Sequence, residues 1–353
     1  MSYAFTFHAT PVFPRGFRCA SRNVGLKPSA RDLTLFASDV DAAAAAVFTR
    51  NHFPGAPIIL GRETIKGGVL RAIIANSKVS NVATGLRGVE HARRMAVAAA
   101  TELGTDPNRV LVSSTGVIGV QLPIEKIESG VVGMTADLQD DPMVGAEGIM
   151  TTDTHPKALS ASVGDATITW VAKGSGMIEP NMATMLSYIF TDAAFDAPTL
   201  DRLLRAAVAP TFNMLSVDTD TSTSDTCAIL ANGLAGAVDE AAFLSVLTAG
   251  CRRMTEILAR DGEGAEHLVR VTVRGTLPKD AQYLVANHLG YLDILVLGAQ
   301  ANAAFVSRAD VEHWPVIGWL AKQFDTVFLE RSKKRDLPTV NADLKERLER
   351  GEI

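Results

Sequence analysis

A chain of 353 residues with 47% hydrophobic and 21% charged side chains can bury a large core, as one big domain or two smaller ones, which excludes a disordered polymer. A net charge of -5 gives no general reason for nucleic-acid binding, so the expected partners are small molecules and other subunits. Cys19, Cys227 and Cys251 carry no CxxC or Cys/His spacing, so neither a metal site nor a disulfide framework is expected, and a reducing cytoplasm is. No apolar run reaches the ~18 residues of a membrane span, and the N-terminus has no signal-peptide layout.

The first predicted element is a helix over residues 38 to 50, where Ser38 or Asp39 caps an alanine run. Ala56 to Leu60 and Leu70 to Ala75 read as strands because they are apolar, isoleucine-rich and close to glycines. A helix follows from Val89 to Leu103. Val110 to Ser114 is then a buried strand that runs into the turn Thr115-Gly116-Val117-Ile118-Gly119, whose backbone N–H groups could serve an anion or an oxyanion. Leu159 to Val163 and Ala166 to Ala172 flank Gly164-Asp165, a pair suited to a type II′ hairpin. Helices are expected from Thr199 to Val208, after Pro198, and from Asp239 to Arg260, with an alternating strand at His267 to Arg274. A proline and charges near Thr276 to Asp280 mark a boundary, followed by a short strand at Tyr283 to Ala286 and a basic run at Arg331 to Arg335.

Between the hairpin and the later helices lies a small-residue loop, Lys173 to Leu186, in which Thr184 follows Ala183. A threonine hydroxyl beside a strained peptide bond can attack the preceding carbonyl, move the acyl group from nitrogen to oxygen, and release a new N-terminus on hydrolysis. The freed α-amine has an unperturbed pKa of about 8, low enough to act as base for its own hydroxyl. Thr115 and Gly116 could offer a hydroxyl and an N–H to an oxyanion. Lys173 and the Thr151-Thr152-Asp153-Thr154 cluster could hold a carboxylate, and Glu263, in a glycine-rich turn, could take an ammonium group. Each of these residues alone has an ordinary structural alternative, as a solvated lysine, a turn cap or a helix-end acid.

Six blocks carry a more specific signal: Ser113 to Gly119, Met150 to Thr154, Ala172 to Ile178, Asn181 to Leu186, Asp218 to Thr226 and Asp261 to Ala265. In order and spacing they resemble the ornithine acetyltransferase (glutamate N-acetyltransferase) family, over roughly residues 25 to 274. The resemblance implies an α/β fold, a stacked-sheet sandwich flanked by helices in the manner of N-terminal-nucleophile proteins. It implies cleavage between Ala183 and Thr184, an acetyl-Thr184 intermediate, an oxyanion hole at Thr115 and Gly116, and substrate contacts from Thr151 or Thr152, Lys173, Thr184 and Glu263. By the same resemblance acetyl passes from N-acetylornithine to glutamate in arginine biosynthesis. No dissociable cofactor is needed, acetyl-CoA is left open as an alternative acetyl donor, and the cleaved α and β chains associate as a heterotetramer. Two departures stand out. Residues 76 to 85 read NSKVSNVATG where many members carry NSGNANACTG, and the family's final substrate-contacting segment has no counterpart.

From about Gly275 onward the chain resembles another family. His288 and Asp293 match the HxxxxD motif of 1-acylglycerol-3-phosphate acyltransferases, extended by Phe305 to Ala309, Trp314 to Ala321 and Val327 to Arg331. That resemblance implies His288 as a general base oriented by Asp293, with weak membrane-surface contact through Arg331, Lys333, Lys334 and Arg335. The expected regions are therefore residues 1–183 (α-chain), 184–274 (β-chain, shortened) and 275–353 (acyltransferase-like). The leading reading is the self-cleaving acetyltransferase. The alternatives are a glycerolipid acyltransferase and an inactive oligomerisation partner.

Overall fold

The computed structural model describes residues 5–179, 185–218, 220–265 and 267–268, and beyond them the strands Val306–Arg308 and Val327–Leu329. The chain forms two compact units, Met1–Leu268 and Val269–Ile353.

The first unit is built on one eight-stranded sheet. Its strands are β1 (Phe17–Arg22), β2 (Leu33–Phe48), β3 (Val69–Val79), β4 (Val110–Val117), β5 (Lys157–Val163), β6 (Ala166–Lys173), β7 (Leu186–Ala193) and β8 (Thr226–Gly236), in the order β4-β3-β2-β8-β7-β6-β5, with β1 paired to β2. The long strand β2 belongs to both halves. Leu33 to Ala37 pair with β3, the register then slips between Ala37 and Ala42, and Ala43 to Phe48 pair with β8. An irregularity of this kind bends a strand and sharpens its twist. Here it turns the sheet over on itself, so that Phe36, before the slip, lies 5.3 Å in ring centroid from both Tyr188 and Phe190 of β7.

The two-residue period of the strands then divides three buried layers. Phe36, Ile73 and Leu111 point between the halves toward Tyr188, Phe190 and Leu230. Their neighbours Leu35, Ile74 and Val112 point outward under helices α2 (Gly85–Leu103) and α3 (Ile124–Val131). On the other face Trp170, Ile189 and Ile229 lie under α5 (Ala197–Val208) and α6 (Glu240–Arg260). Helix α6 settles so close to β6 that a Cβ on Gly250 would fall 2.1 Å from the Trp170 ring. The remaining helices are α1 (Ala56–Thr64) and α4 (Pro142–Ile149); Ala146 and Ile149 of α4 join the middle layer. The stacked-sheet sandwich flanked by helices is thus present, as one folded sheet.

Two expected elements are corrected. The alanine run expected as a helix over 38–50 is the second half of β2. Alanine's intrinsic preference for helix is a few tenths of a kcal/mol per residue and yields to tertiary pairing. Ala42, Ala44, Ala45 and Ala46 are 0–5% exposed, and small side chains suit a strand crossing from one layer to the other. Ala56 to Leu60, expected as a strand, is the first part of α1. Pro57 sits in its first turn, where a missing N–H costs nothing, while Ile58, Leu60, Gly61 and Thr64 are buried. The hairpin at Gly164-Asp165 and the helices α2, α5 and α6 form as read, α6 capped by the Asp239 side chain on the Ala242 amide at 2.7 Å.

In the second unit Val306–Arg308 (β9) and Val327–Leu329 (β10) pair in parallel, Val306 opposite Val327. The strand expected at Tyr283 to Ala286, the basic run at Arg331 to Arg335 and most of His267 to Arg274 lie outside the described residues.

Candidate active site

The turn read as an oxyanion site forms where β3 and β4 run in parallel, with Ser77 beside Thr115 and Lys78 beside Gly116. Thr115 is 9% exposed at the end of the strand. Gly116 has φ +129°, and a Cβ there would lie 2.2 Å from the carbonyl carbon and oxygen of Lys78, so only glycine lets the two backbones meet. This strand pair is tied to the Thr151 segment by polar bonds. The Ser77 hydroxyl donates to the Gly148 carbonyl at 2.6 Å, at the end of α4. Asp32 accepts from the amides of Val24, Leu26 and Lys27, each at 2.7 Å, and so places Lys27, whose ammonium donates to the Met150 carbonyl at 2.8 Å.

The threonine cluster is organised around Asp153. Its carboxylate accepts from the Thr151 amide at 2.9 Å, the Gly174 amide at 2.6 Å and the Lys157 ammonium at 2.7 Å. Lys157 also donates to Asp261 at 2.5 Å, and Thr154 bonds Asp261 as well. Thr152 and Ser175 share a hydroxyl bond of 2.6 Å. The loop after Lys173 is stapled twice more. The Ser175 carbonyl accepts from the Glu263 amide at 2.6 Å, and Asp218 takes the amides of Met177 and Ile178, the latter at 2.8 Å. Glu263 is exposed, with its carboxylate over Gly176, where a Cβ would fall 2.8 Å from Oε2.

Strand register brings Lys173 to the same end. Lys173 of β6 stands opposite Leu186 of β7, Leu186 opposite Thr226 of β8, and Thr226 opposite Phe48 of β2. Thr184 and Ala183 lie outside the described residues; Met185, the first described residue after them, is buried and accepts from the Thr226 amide at 3.1 Å. Lys173 is only 5% exposed, and its ammonium has no hydrogen bond or ion pair among the described residues. Burial pushes its proton affinity down, and Asp153 and Asp225 oppose this while Lys157 adds to it. Burial alone would raise Asp153, but Lys173, Lys157 and the hydrogen bonds hold it below the usual carboxylate range. Lys27 is lowered first by burial; Lys173 and Lys78 push the same way, against Asp32 and Asp153.

Asp225 was not singled out from the sequence. It is 1% exposed, and neither carboxylate oxygen reaches a partner with full hydrogen-bond geometry, although the Ser222 hydroxyl and the Met185 amide lie near enough to favour the ion. Burial dominates and lifts this carboxyl well above its usual range. Lys157, Asp261, Lys27 and Asp218 likewise gained no individual role from sequence. The structure therefore gathers Thr151, Thr152, Lys173 and Glu263 around the Asp153 staple. Thr115 and Gly116 pair with Ser77 and Lys78 of β3, and the Ser77 bond to the Gly148 carbonyl ties this strand pair to the stretch that leads into Thr151. His288 and Asp293 lie outside the described residues.

The ArgJ family model matches residues 18–292, and a model described as Acyltransferase matches 269–353. Arginine biosynthesis bifunctional protein ArgJ 2 of Clostridium acetobutylicum is 42% identical over 302 residues, covering 84% of this chain and 78% of that protein. Glutamate N-acetyltransferase Oat2 of Streptomyces clavuligerus is 44% identical over 269 residues, 76% of this chain and 68% of the relative. Among solved structures, ornithine acetyltransferase of Mycobacterium tuberculosis complexed with ornithine aligns with a TM-score of 0.47 at 34% identity, over 50% of this chain and 99% of that one. With a family model spanning most of its length and relatives above 40% identity, the chain belongs to the ArgJ family.

Proposed function

We propose that this chain is a self-cleaving acetyltransferase of arginine biosynthesis, carrying acetyl from N-acetylornithine to glutamate on Thr184. The observation that carries the reading is the strand row. Lys173, with a buried ammonium that no described side chain satisfies, stands opposite Leu186, two residues after Thr184. An unpaired buried cation calls for an anion from outside, and the carboxylate of an amino-acid substrate supplies one.

In maturation the Thr184 hydroxyl attacks the Ala183 carbonyl carbon, its proton passes to the departing nitrogen, and the resulting ester is hydrolysed by water. This leaves an Ala183 carboxylate and a Thr184 amine. In turnover that amine takes the hydroxyl proton as oxygen attacks the acetyl carbonyl of N-acetylornithine. The Thr115 hydroxyl and the Gly116 amide receive the oxyanion. Ornithine leaves, and the amine of glutamate attacks the acetyl-Thr184 ester, so the two substrates use one site in turn. Lys173 takes a substrate carboxylate, Thr151 and Thr152 line its approach, and Glu263 takes an ammonium group. No dissociable cofactor enters, and acetyl-CoA is an alternative acetyl donor. The two cleaved chains stay together and assemble as a heterotetramer. A cytoplasmic setting fits three cysteines that are all free and buried. Among the described residues no helix is long and apolar enough to cross a membrane. The acyltransferase-like segment carries no activity in this reading.

Intact mass of the purified full chain tests it. The expected result is two fragments meeting at Ala183/Thr184, and a single chain for Thr184→Ala. A wild-type chain that stays whole on long incubation would refute the proposal.

A further inference from the structure

Lys27, in the loop between β1 and β2, has no part in the chemistry above. The loop is anchored beneath it: the fully buried Asp32 accepts from the amides of Val24, Leu26 and Lys27 itself, and the Gly25 carbonyl accepts from Lys126 at 2.7 Å. The half-buried ammonium bonds no carboxylate among the described residues. It donates instead to two backbone carbonyls, Arg31 at 2.9 Å and Met150 at 2.8 Å. Fixing a long lysine side chain costs rotamer freedom, and a neutral carbonyl returns less than a carboxylate would.

The Met150 carbonyl belongs to the peptide bond whose nitrogen is that of Thr151, and this nitrogen donates to the Asp153 carboxylate at 2.9 Å. One peptide plane is therefore gripped on both edges, its oxygen by Lys27 and its N–H by Asp153. Asp153 also holds the amide of Gly174, next to Lys173. A planar unit held on both edges has one orientation, and so has the Cα of Thr151 that leaves it. Met150 directly follows α4, where a cation also suits the unsatisfied carbonyls of a helix end. A helix cap alone would account for the bond to Met150 but not for the second grip, which acts on the threonine side of the same peptide.

We propose that Lys27 is a positioning residue for substrate binding: through the Met150 carbonyl it sets the direction in which Thr151 and Thr152 project toward the bound amino acid. The role of the two threonines rests on the acetyltransferase reading; the contact of Lys27 with their backbone does not.

Calorimetric titration of the full chain with ornithine, which carries no acetyl group to transfer, tests this. Lys27→Met is expected to weaken binding about tenfold, the size of one charge-assisted bond, while Lys27→Arg, which keeps donors for both carbonyls, should stay within about threefold of wild type. Loss of a positive charge can weaken binding of a carboxylate without any positioning, so a double-mutant cycle decides. Thr151→Val combined with Thr152→Val should weaken ornithine binding in wild type but change it by less than about twofold in Lys27→Met, because misplaced threonines have little left to lose. Lys27→Gln, a milder change, replaces the methionine variant in the cycle if that one does not fold. Unchanged affinity in the Lys27 variants, or penalties that simply multiply, overturns the proposal and leaves the acetyltransferase reading standing. A wild type that binds no ornithine overturns both. Lys27-dependent binding by a wild type that stays uncleaved would refute the self-cleaving reading and leave the Lys27 assignment standing.

Discussion

Two lysines on neighbouring strands are equally buried and differently provided for. Lys157 of β5, 2% exposed, has its ammonium between two carboxylates, Asp153 at 2.7 Å and Asp261 at 2.5 Å. Lys173 of β6, 5% exposed, has none within bonding distance among the described residues, although Asp153 and Asp225 act on it from farther off. Burying a charge is costly unless it is paired and hydrogen-bonded. The first lysine meets that condition inside the fold and ties the start of β5 to the end of α6. In the proposed function the second meets it with the carboxylate of a bound substrate. Burial alone thus does not separate a structural cation from a binding one; the completeness of its partners does.

The comparison can be broken by substitution. Lys157→Met leaves two buried carboxylates facing each other and is expected to lose about 3–5 kcal/mol, read from urea denaturation. Lys173→Met removes a buried ammonium that has no hydrogen bond among the described residues, so its destabilisation should be well below that of Lys157→Met, while acetyl transfer from N-acetylornithine falls on the order of 100-fold. Equal destabilisation by both variants would erase the distinction.

Asp225 sharpens the same contrast from the acidic side. Burial lets the folded protein hold this proton more tightly than the unfolded chain does. Its ionisation therefore costs stability as pH rises through the folded pKa, and the cost vanishes below about pH 4, where the unfolded carboxyl is protonated too. Asp225→Asn should gain about 1 kcal/mol near pH 8 and little near pH 4, measured by thermal melts across that range. A gain independent of pH would show that folding does not raise the proton affinity of this carboxyl.

Much of this was legible from sequence where local chemistry sets structure. Gly164-Asp165 pointed to a hairpin because glycine accepts the turn, and Gly116 to a strand-end turn with free N–H groups; that Gly116 also lets its backbone meet Lys78 appears only in the paired strands. The alanine run of β2 was misread because its partners, β3 and β8, come from distant parts of the chain. Lys173 and Thr115 could be picked out because they stand next to glycine turns. Asp225, amid Ser222 to Thr226, resembles a solvated loop acid, and Lys157 a surface lysine; only the folded sheet reveals that both are buried.

The central claim is that acetyl rests on Thr184 between the two substrates. The most direct test is to incubate the full chain with N-acetylornithine labelled in the acetyl group, quench, and map the label by peptide mass spectrometry. The account predicts label on the peptide beginning at Thr184, discharged when glutamate is added. Label on any other residue, or none on a chain that has cleaved, would contradict it.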